Sequence, residues 1–110
     1  MLAAMAYDET REAPMNVNSL AEVRENIDRL DHAIIQLMAE RGTFVEAAAR
    51  FKTSHADVEA PKRVEQVIAK VRALAEAAKL PPLVAEATYR AMIQAFIEVE
   101  RTAFEMRQQR

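Results

Sequence analysis

The stretch that decides the fold runs from Ser19 to Lys52 and has the sequence SLAEVRENIDRLDHAIIQLMAERGTFVEAAARFK. Ser19 and Glu22 have the spacing of a capping box, which satisfies free backbone amides at a helix N-terminus. Apolar residues then recur at alternating steps of three and four, the spacing of one buried helical face. They are Leu20, Val23, Ile27, Leu30, Ile34, Leu37, Phe44, Ala48 and Phe51. This pattern predicts one helix over 19–52.

Two shorter helices are predicted after a polar segment at 53–60. Pro61 suits the first turn of a helix, where its missing amide hydrogen is not needed, and an apolar stripe follows it to residue 78. Pro81-Pro82 ends that stripe, because each proline disfavours helical geometry in the residue before it. A third helical stripe predicts a helix over 82–107. No alternating strand pattern competes, so the predicted fold class is all-α.

The length of the first helix has a consequence for assembly. A helix over 19–52 is about 50 Å long, whereas a compact chain of this size has a radius of gyration of about 13 Å. The remaining residues are too few to cover such a rod. Either the helix bends or a second subunit covers its exposed face, and we expect the second arrangement, a homodimeric helical bundle. Residues 1–18 lack a periodic pattern and are predicted to form a flexible N-terminal arm, followed by a helical domain over 19–110.

Composition excludes several classes of function. The 110 residues include 15 Lys and Arg against 17 Asp and Glu, for a net charge of −2. Binding to nucleic acid or to an anionic membrane needs a basic surface, so we expect neither. There is no cysteine, no metal-ligand spacing and no Gly-rich phosphate loop, so no metal or cofactor is expected. Without a signal-peptide pattern or a long apolar run, the cytoplasm is the expected location.

Arg41 interrupts the apolar face of the long helix. It lies four residues after Leu37 and three before Phe44, so a guanidinium occupies a position that its neighbours predict to be buried. Burying an unpaired guanidinium is costly, and Arg41 therefore needs an anionic ligand, an internal partner such as a Glu across the bundle, or a water-filled cavity. Alternatively, the stem of the side chain lies along the apolar face and its charged end reaches water. The adjacent Gly42 disfavours the helix and would suit close approach by a neighbouring side chain or a ligand.

Three further cations can join Arg41. Arg24 and Lys52 flank the apolar face near the two ends of the long helix, and Arg63 lies in the first turn of the second helix. If two long helices pair antiparallel, Arg24 of one chain approaches Arg41 and Lys52 of its partner. Each of these residues alone is typical of a solvated surface charge. Together they predict a cationic pocket for a multiply anionic ligand.

A family resemblance follows from these residues. The segment Arg24-x-x-Ile27-Asp28-x-Leu30-Asp31-x-x-Ile34-x-x-Leu37-x-x-x-Arg41 resembles the first helix of the all-α (type II) chorismate mutases, and Lys52 fits as well. The continuation, Arg50-Phe51-Lys52-x-Ser54 and then Ala60-Pro61-x-Arg63-Val64, is similar to the isochorismate pyruvate-lyase branch of that family. The resemblance extends over roughly 20–105.

The resemblance implies an intertwined dimer with two equivalent sites for a small cyclic dicarboxylate and a pericyclic reaction that needs no cofactor. The arginine matching Arg24 enters from the partner chain and, with Arg41, binds the two substrate carboxylates. Lys52 donates to the ether oxygen, which becomes negative as the C–O bond breaks. The substrate-binding residues implied in this way are Arg24, Arg41, Lys52, Arg63, Val64, Ile97 and Glu100, of which Arg41, Lys52 and Glu100 are catalytic.

Two positions depart from the pattern of the mutases. Val64 stands where mutases usually carry Glu, as in the lyase branch, so isochorismate is the favoured substrate, with some conversion of chorismate to prephenate. Glu100 stands where Gln is common. A carboxylate repels a developing oxyanion, whereas a protonated carboxyl donates to it, so we expect activity to rise toward acid pH.

Two alternatives stay open. One is a genuine chorismate mutase that makes prephenate for aromatic amino acid biosynthesis. The other is a non-catalytic helical dimer, either an adaptor or a sensor that binds a dicarboxylate. A plain dimerisation module would carry Leu or Ala at position 41, since a buried cation there only weakens the apolar face.

Overall fold

Three helices make up the part of the chain that the structure describes. The structure is a computed structural model and describes residues 17–52, 55 and 60–109. The helices are α1 (Leu20–Ala49), α2 (Pro61–Ala77) and α3 (Pro82–Gln108), and no strand occurs within these ranges. The all-α prediction is confirmed. Nearly all of the predicted arm at 1–18 lies outside the described residues.

The start of α1 agrees with the capping pattern in the sequence. The Ser19 hydroxyl accepts a hydrogen bond from the Glu22 amide at 3.1 Å. The Glu22 carboxylate in turn accepts from the Asn18 amide at 2.8 Å. Two backbone donors that the helix itself leaves unpaired are thereby satisfied, which fixes where α1 begins.

The end of α1 differs from the prediction. The helix ends at Ala49 rather than at Lys52. The amides of Arg50, Phe51 and Lys52 donate to carbonyls three residues back, at 3.2, 3.0 and 3.1 Å, so the chain tightens into a turn. Phe51, expected on the buried face, is 84% exposed. As a consequence, Lys52 projects from this turn and not from the helix.

The buried core lies mainly between α2 and α3. Val67, Val71 and Ala75 on α2 pack with Ala85 on α3, and Tyr89 and Ile93 cover this cluster. The two helices are joined by a short turn in which Lys79 has a left-handed backbone (φ 61°) and the Leu80 amide donates to the Ala75 carbonyl at 2.8 Å. The turn satisfies the last carbonyls of α2 and reverses the chain, so that α3 packs back on α2.

α1 packs against α3 less extensively and is largely uncovered. Ala49 is its one buried residue. Leu20, Ile34 and Leu37, which were predicted to lie on its buried face, are between half and two thirds exposed. The radius of gyration is 18.0 Å, well above the roughly 13 Å of a compact chain of this length. Within the described helices, none is both long and apolar enough to cross a bilayer.

Candidate active site

A cavity of about 390 Å³ lies where the three helices meet. Its polar lining comes from Arg41, Lys52, Arg63 and Glu100, and its apolar lining includes Val64, Ile97 and Phe96. Six of the seven residues that the sequence singled out therefore border one space, although they lie up to 59 residues apart in the chain. Three cations and one carboxylate leave the cavity with a formal charge of +2, which favours a dianionic ligand.

Arg41 reaches this cavity without a carboxylate partner. Its Nη1 atom is buried and has no hydrogen-bond partner. The guanidinium carbon lies 5.5 Å from the centre of the Tyr89 ring, a cation–π contact. No described residue forms an ion pair with Arg41. Among the described residues no carboxylate pairs with Arg41, and an N–H donor is left beside the cavity for an anion or for water.

Lys52 and Glu100 form the one ion pair that borders the cavity among the described residues. The Lys52 ammonium lies 2.9 Å and 3.1 Å from the two Glu100 carboxylate oxygens. The Glu100 side chain is only 5% exposed, and that of Lys52 is 23% exposed. The tightened turn after α1 brings Lys52 to α3. A ligand that needs the ammonium must share it with this carboxylate.

The N-terminus of α2 opens at the same cavity. Ala60 precedes the helix with a left-handed backbone (φ 36°), lines the cavity and gives no side-chain cap to the first turn. Uncapped amides carry the positive end of the helix dipole, which adds to the charge of Arg63, three residues after Ala60. Val64 follows, so the wall beyond Arg63 is apolar.

Arg24 is the one predicted site residue that does not line the cavity. It is exposed on the N-terminal half of α1, 17 residues before Arg41. At 1.5 Å per residue that separation is about 25 Å along the helix, too far for its side chain to reach the cavity of the same chain. Only a second subunit could bring an Arg24 to this site.

Two neighbours of the site were not predicted as functional. Phe96 lies against Gly42, where a Cβ atom would stand 3.0 Å and 3.1 Å from two ring carbons. Gly42 thus allows the close approach that the sequence suggested, and the group that approaches is the Phe96 side chain rather than a ligand. Tyr89 belongs to the apolar stripe of α3, and the periodicity gives no sign that its ring faces Arg41. No group of three or more potential metal ligands occurs among the described residues.

The structure defines an all-α protein with a cationic cavity between its helices, and comparison with known proteins identifies its family. Residues 23–101 match the chorismate mutase type II family. An isochorismate pyruvate lyase of Pseudomonas aeruginosa is 44% identical over 55 residues, which cover 50% of this chain and 54% of the relative. The chain belongs to the type II chorismate mutase family. The match with the lyase spans only about half the length of that curated relative.

Proposed function

We propose that this protein catalyses a cofactor-free pericyclic reaction on a chorismate-type dicarboxylate. The favoured reaction is the conversion of isochorismate to salicylate and pyruvate, with some conversion of chorismate to prephenate. In the first reaction the ether C–O bond breaks while a ring hydrogen moves to the methylene carbon of the side chain. The ring becomes aromatic, and the atoms of one substrate account for both products.

The observation that carries this proposal is the buried, unpartnered Nη1 of Arg41 beside a cavity of net charge +2. A protein that used Arg41 only for folding would pair it with a carboxylate, because an unpaired buried donor is costly. A substrate carboxylate would supply the missing acceptor. The cavity volume of about 390 Å³ is within the range of small-molecule sites.

In this proposal the residues that line the cavity have different roles in substrate binding and catalysis. Arg41 binds one substrate carboxylate, and Arg24 of a second subunit binds the other. Lys52 donates to the ether oxygen as negative charge develops there, the contact that is stronger in the transition state than in the ground state. Arg63 adds positive charge, while Val64 and Ile97 provide apolar walls that hold the substrate in a reactive conformer.

Val64 favours the lyase reaction over the mutase reaction. Mutases of this family usually carry a Glu at the matching position, whereas the Val64 side chain that borders the cavity here is apolar. The similarity to an isochorismate pyruvate lyase points the same way. The family match over 23–101 favours the second candidate, a chorismate mutase proper.

The test is an assay of the purified protein with each substrate separately. We expect isochorismate to give equal amounts of salicylate, followed by fluorescence, and pyruvate, followed by a coupled dehydrogenase. Chorismate should give prephenate more slowly. Faster turnover of chorismate would select the mutase alternative. If neither substrate is consumed by folded protein, the proposed function is wrong.

We also propose that the working unit is a homodimer with shared sites. The exposed apolar side chains of α1, such as Ile27, Leu30 and Ile34, would be covered by a second α1. An antiparallel pairing of the two long helices would carry Arg24 of one chain toward the cavity of the other. This arrangement accounts both for the uncovered face and for the one predicted site residue that lies outside the cavity.

Mixed dimers test the shared site. Arg24→Ala and Arg41→Ala variants should each be inactive alone, because every site then lacks one arginine. After unfolding and refolding together, a hybrid dimer has one intact site, so random mixing should restore about a quarter of wild-type activity. If mixing restores nothing although hybrids form, Arg24 does not act across the interface.

A further inference from the structure

The guanidinium of Arg41 lies over the aromatic ring of Tyr89. The guanidinium carbon lies 5.5 Å from the centre of the Tyr89 ring. Arg41 lines the cavity, whereas Tyr89 does not. The ring therefore lies behind the guanidinium, on the side away from the open space.

An aromatic ring differs from a carboxylate as a partner for such an arginine. A carboxylate would occupy N–H donors and cancel the positive charge, so a substrate would have to displace it. A ring attracts the cation through its quadrupole and takes none of the in-plane donors. The full charge and the fork of N–H groups stay available to bind a carboxylate in the plane of the guanidinium. The Nη1 of Arg41, which is buried and has no hydrogen-bond partner, is one such available donor.

Tyr89 is itself held firmly. Its ring packs against the buried cluster of Val67, Val71, Ala75 and Ala85, in the best-packed part of the molecule. Arg41 lies on α1, which packs on α3 less extensively than α2 does and has a single buried residue. The ring thus connects a side chain of a loosely packed helix to the core formed by the other two helices.

We infer that Tyr89 is a positioning residue for substrate binding: its ring face orients Arg41 and keeps it charged and unpaired for a substrate carboxylate. This inference rests on the proposed function and adds a determinant of affinity that does not touch the substrate. Because Arg41 binds a carboxylate that is present in both the ground state and the transition state, the effect belongs in KM more than in kcat.

Three substitutions test the inference. Tyr89→Leu removes the ring face, and Tyr89→Phe retains it without the hydroxyl. Ile68→Ala weakens the buried core but lies outside both the cavity lining and the cluster that packs on Tyr89, so it controls for lost stability. We expect Tyr89→Leu to raise KM about three- to tenfold with little change in kcat, as the loss of a cation–π contact implies. Tyr89→Phe and Ile68→Ala should keep the wild-type KM.

If Tyr89→Leu does not fold, a series of fluorinated phenylalanines at position 89 still tests the inference. Phenylalanine with one, two or three ring fluorines at position 89 weakens the ring quadrupole stepwise with little change in shape. We expect KM to rise with each fluorine while the melting temperature stays nearly constant. A KM that is flat along the series, or equal for folded Tyr89→Leu and wild type, overturns the inference. Absence of turnover in the wild-type protein would instead reject the proposed function.

Discussion

The Lys52 ammonium makes hydrogen bonds of 2.9 Å and 3.1 Å to the two oxygens of the nearly buried Glu100 carboxylate. The pair joins the turn after α1 to α3 across 48 residues of sequence. In the proposed reaction both side chains face the ether oxygen, on which negative charge develops. The Lys52 ammonium stabilises that negative charge, and an ionised Glu100 destabilises it. The pair therefore places a favourable and an unfavourable charge at one point of the site.

The first prediction concerns this carboxylate. Glu100→Gln replaces a charge that repels the oxyanion with an amide that can donate to it. We expect the variant to exceed wild type in kcat/KM at pH 7.5 by roughly tenfold, since one donor at such a position is worth at least that much.

The measurement is a comparison of kcat/KM for wild type and variant with the same substrate. The other charged groups that line the cavity are Arg41, Lys52 and Arg63, and the substitution leaves all three in place. A difference between the two proteins is thus attributable to the Glu100 carboxylate. Equal kcat/KM values would show that this carboxylate takes no part in the chemistry.

Periodicity and caps made much of the fold predictable. The start of α1 follows from Ser19 and Glu22, and the prolines at 61 and 82 mark the starts of the other two helices. The end of α1 was missed because the apolar spacing continues to Phe51 without a Gly or Pro to stop it. The helix is ended there by short-range turn hydrogen bonds, which leave no mark in the pattern.

The site was predictable only in part, and the reason is the range of its contacts. Arg41 stood out because a charge in an apolar stripe is visible within one helix. The Lys52–Glu100 pair and the Tyr89 ring behind Arg41 join residues 48 positions apart. The spacing of residues within one helix carries no information about contacts between residues so far apart in the sequence. The family resemblance, and not the periodicity, directed attention to Glu100.

A second prediction separates the catalytic from the structural role of Arg41. Arg41→Met should lower kcat/KM by about a hundredfold, because a buried charged contact with substrate is lost. The melting temperature should hold or rise, because an apolar side chain replaces a buried cation that has no carboxylate partner. Arg29→Met, on an exposed part of the same helix, is the matched control. Unfolding of Arg41→Met, with activity per folded molecule preserved, would make Arg41 structural.

A third prediction concerns acid stability. Hydrogen bonds from Arg90 hold the pKa of the Glu65 carboxyl below its ordinary value of 4.5. Hydrogen bonds from Arg90 and then Arg72 lower the pKa of Glu86 in the same way. Lowered carboxyl pKa values stabilise the folded state fully above pH 4.5, and that stabilisation is lost as pH falls through the lowered values.

The variant Arg90→Met tests this network. Its melting temperature should lie slightly below wild type at pH 7, since the Arg90–Glu65 bridge links α3 to α2 at the surface and the Arg90–Glu86 bridge lies within α3. As pH falls below 4.5 and these carboxyls become protonated, the gap should close. Arg29→Met removes the same charge without a carboxylate partner, so its curve should stay parallel to wild type. A gap for Arg90→Met that is constant over this range contradicts the assignment.

The last prediction uses the contact between Gly42 and Phe96. Gly42→Ala removes a flexible residue from the middle of α1, which favours the folded state by up to about 1 kcal/mol. The new methyl group would stand 3.0 Å from the Phe96 ring, so the ring must shift by a few tenths of an ångström. Phe96 has open space on two sides, because it borders both the site and a neighbouring cavity of about 430 Å³ between α1 and α3. The shift is therefore feasible without unfolding.

Stability and activity should move in opposite directions in this variant. The melting temperature should rise, while kcat/KM falls roughly fivefold because the displaced ring alters how the substrate is held. Ala39→Gly, at an exposed position of the same helix, measures the backbone contribution alone and should lower the melting temperature without affecting kcat/KM. If Gly42→Ala keeps full activity, the ring does not shape the substrate cavity. If it unfolds, the space around Phe96 is too rigid to absorb a methyl group, and Gly42 is needed for packing alone.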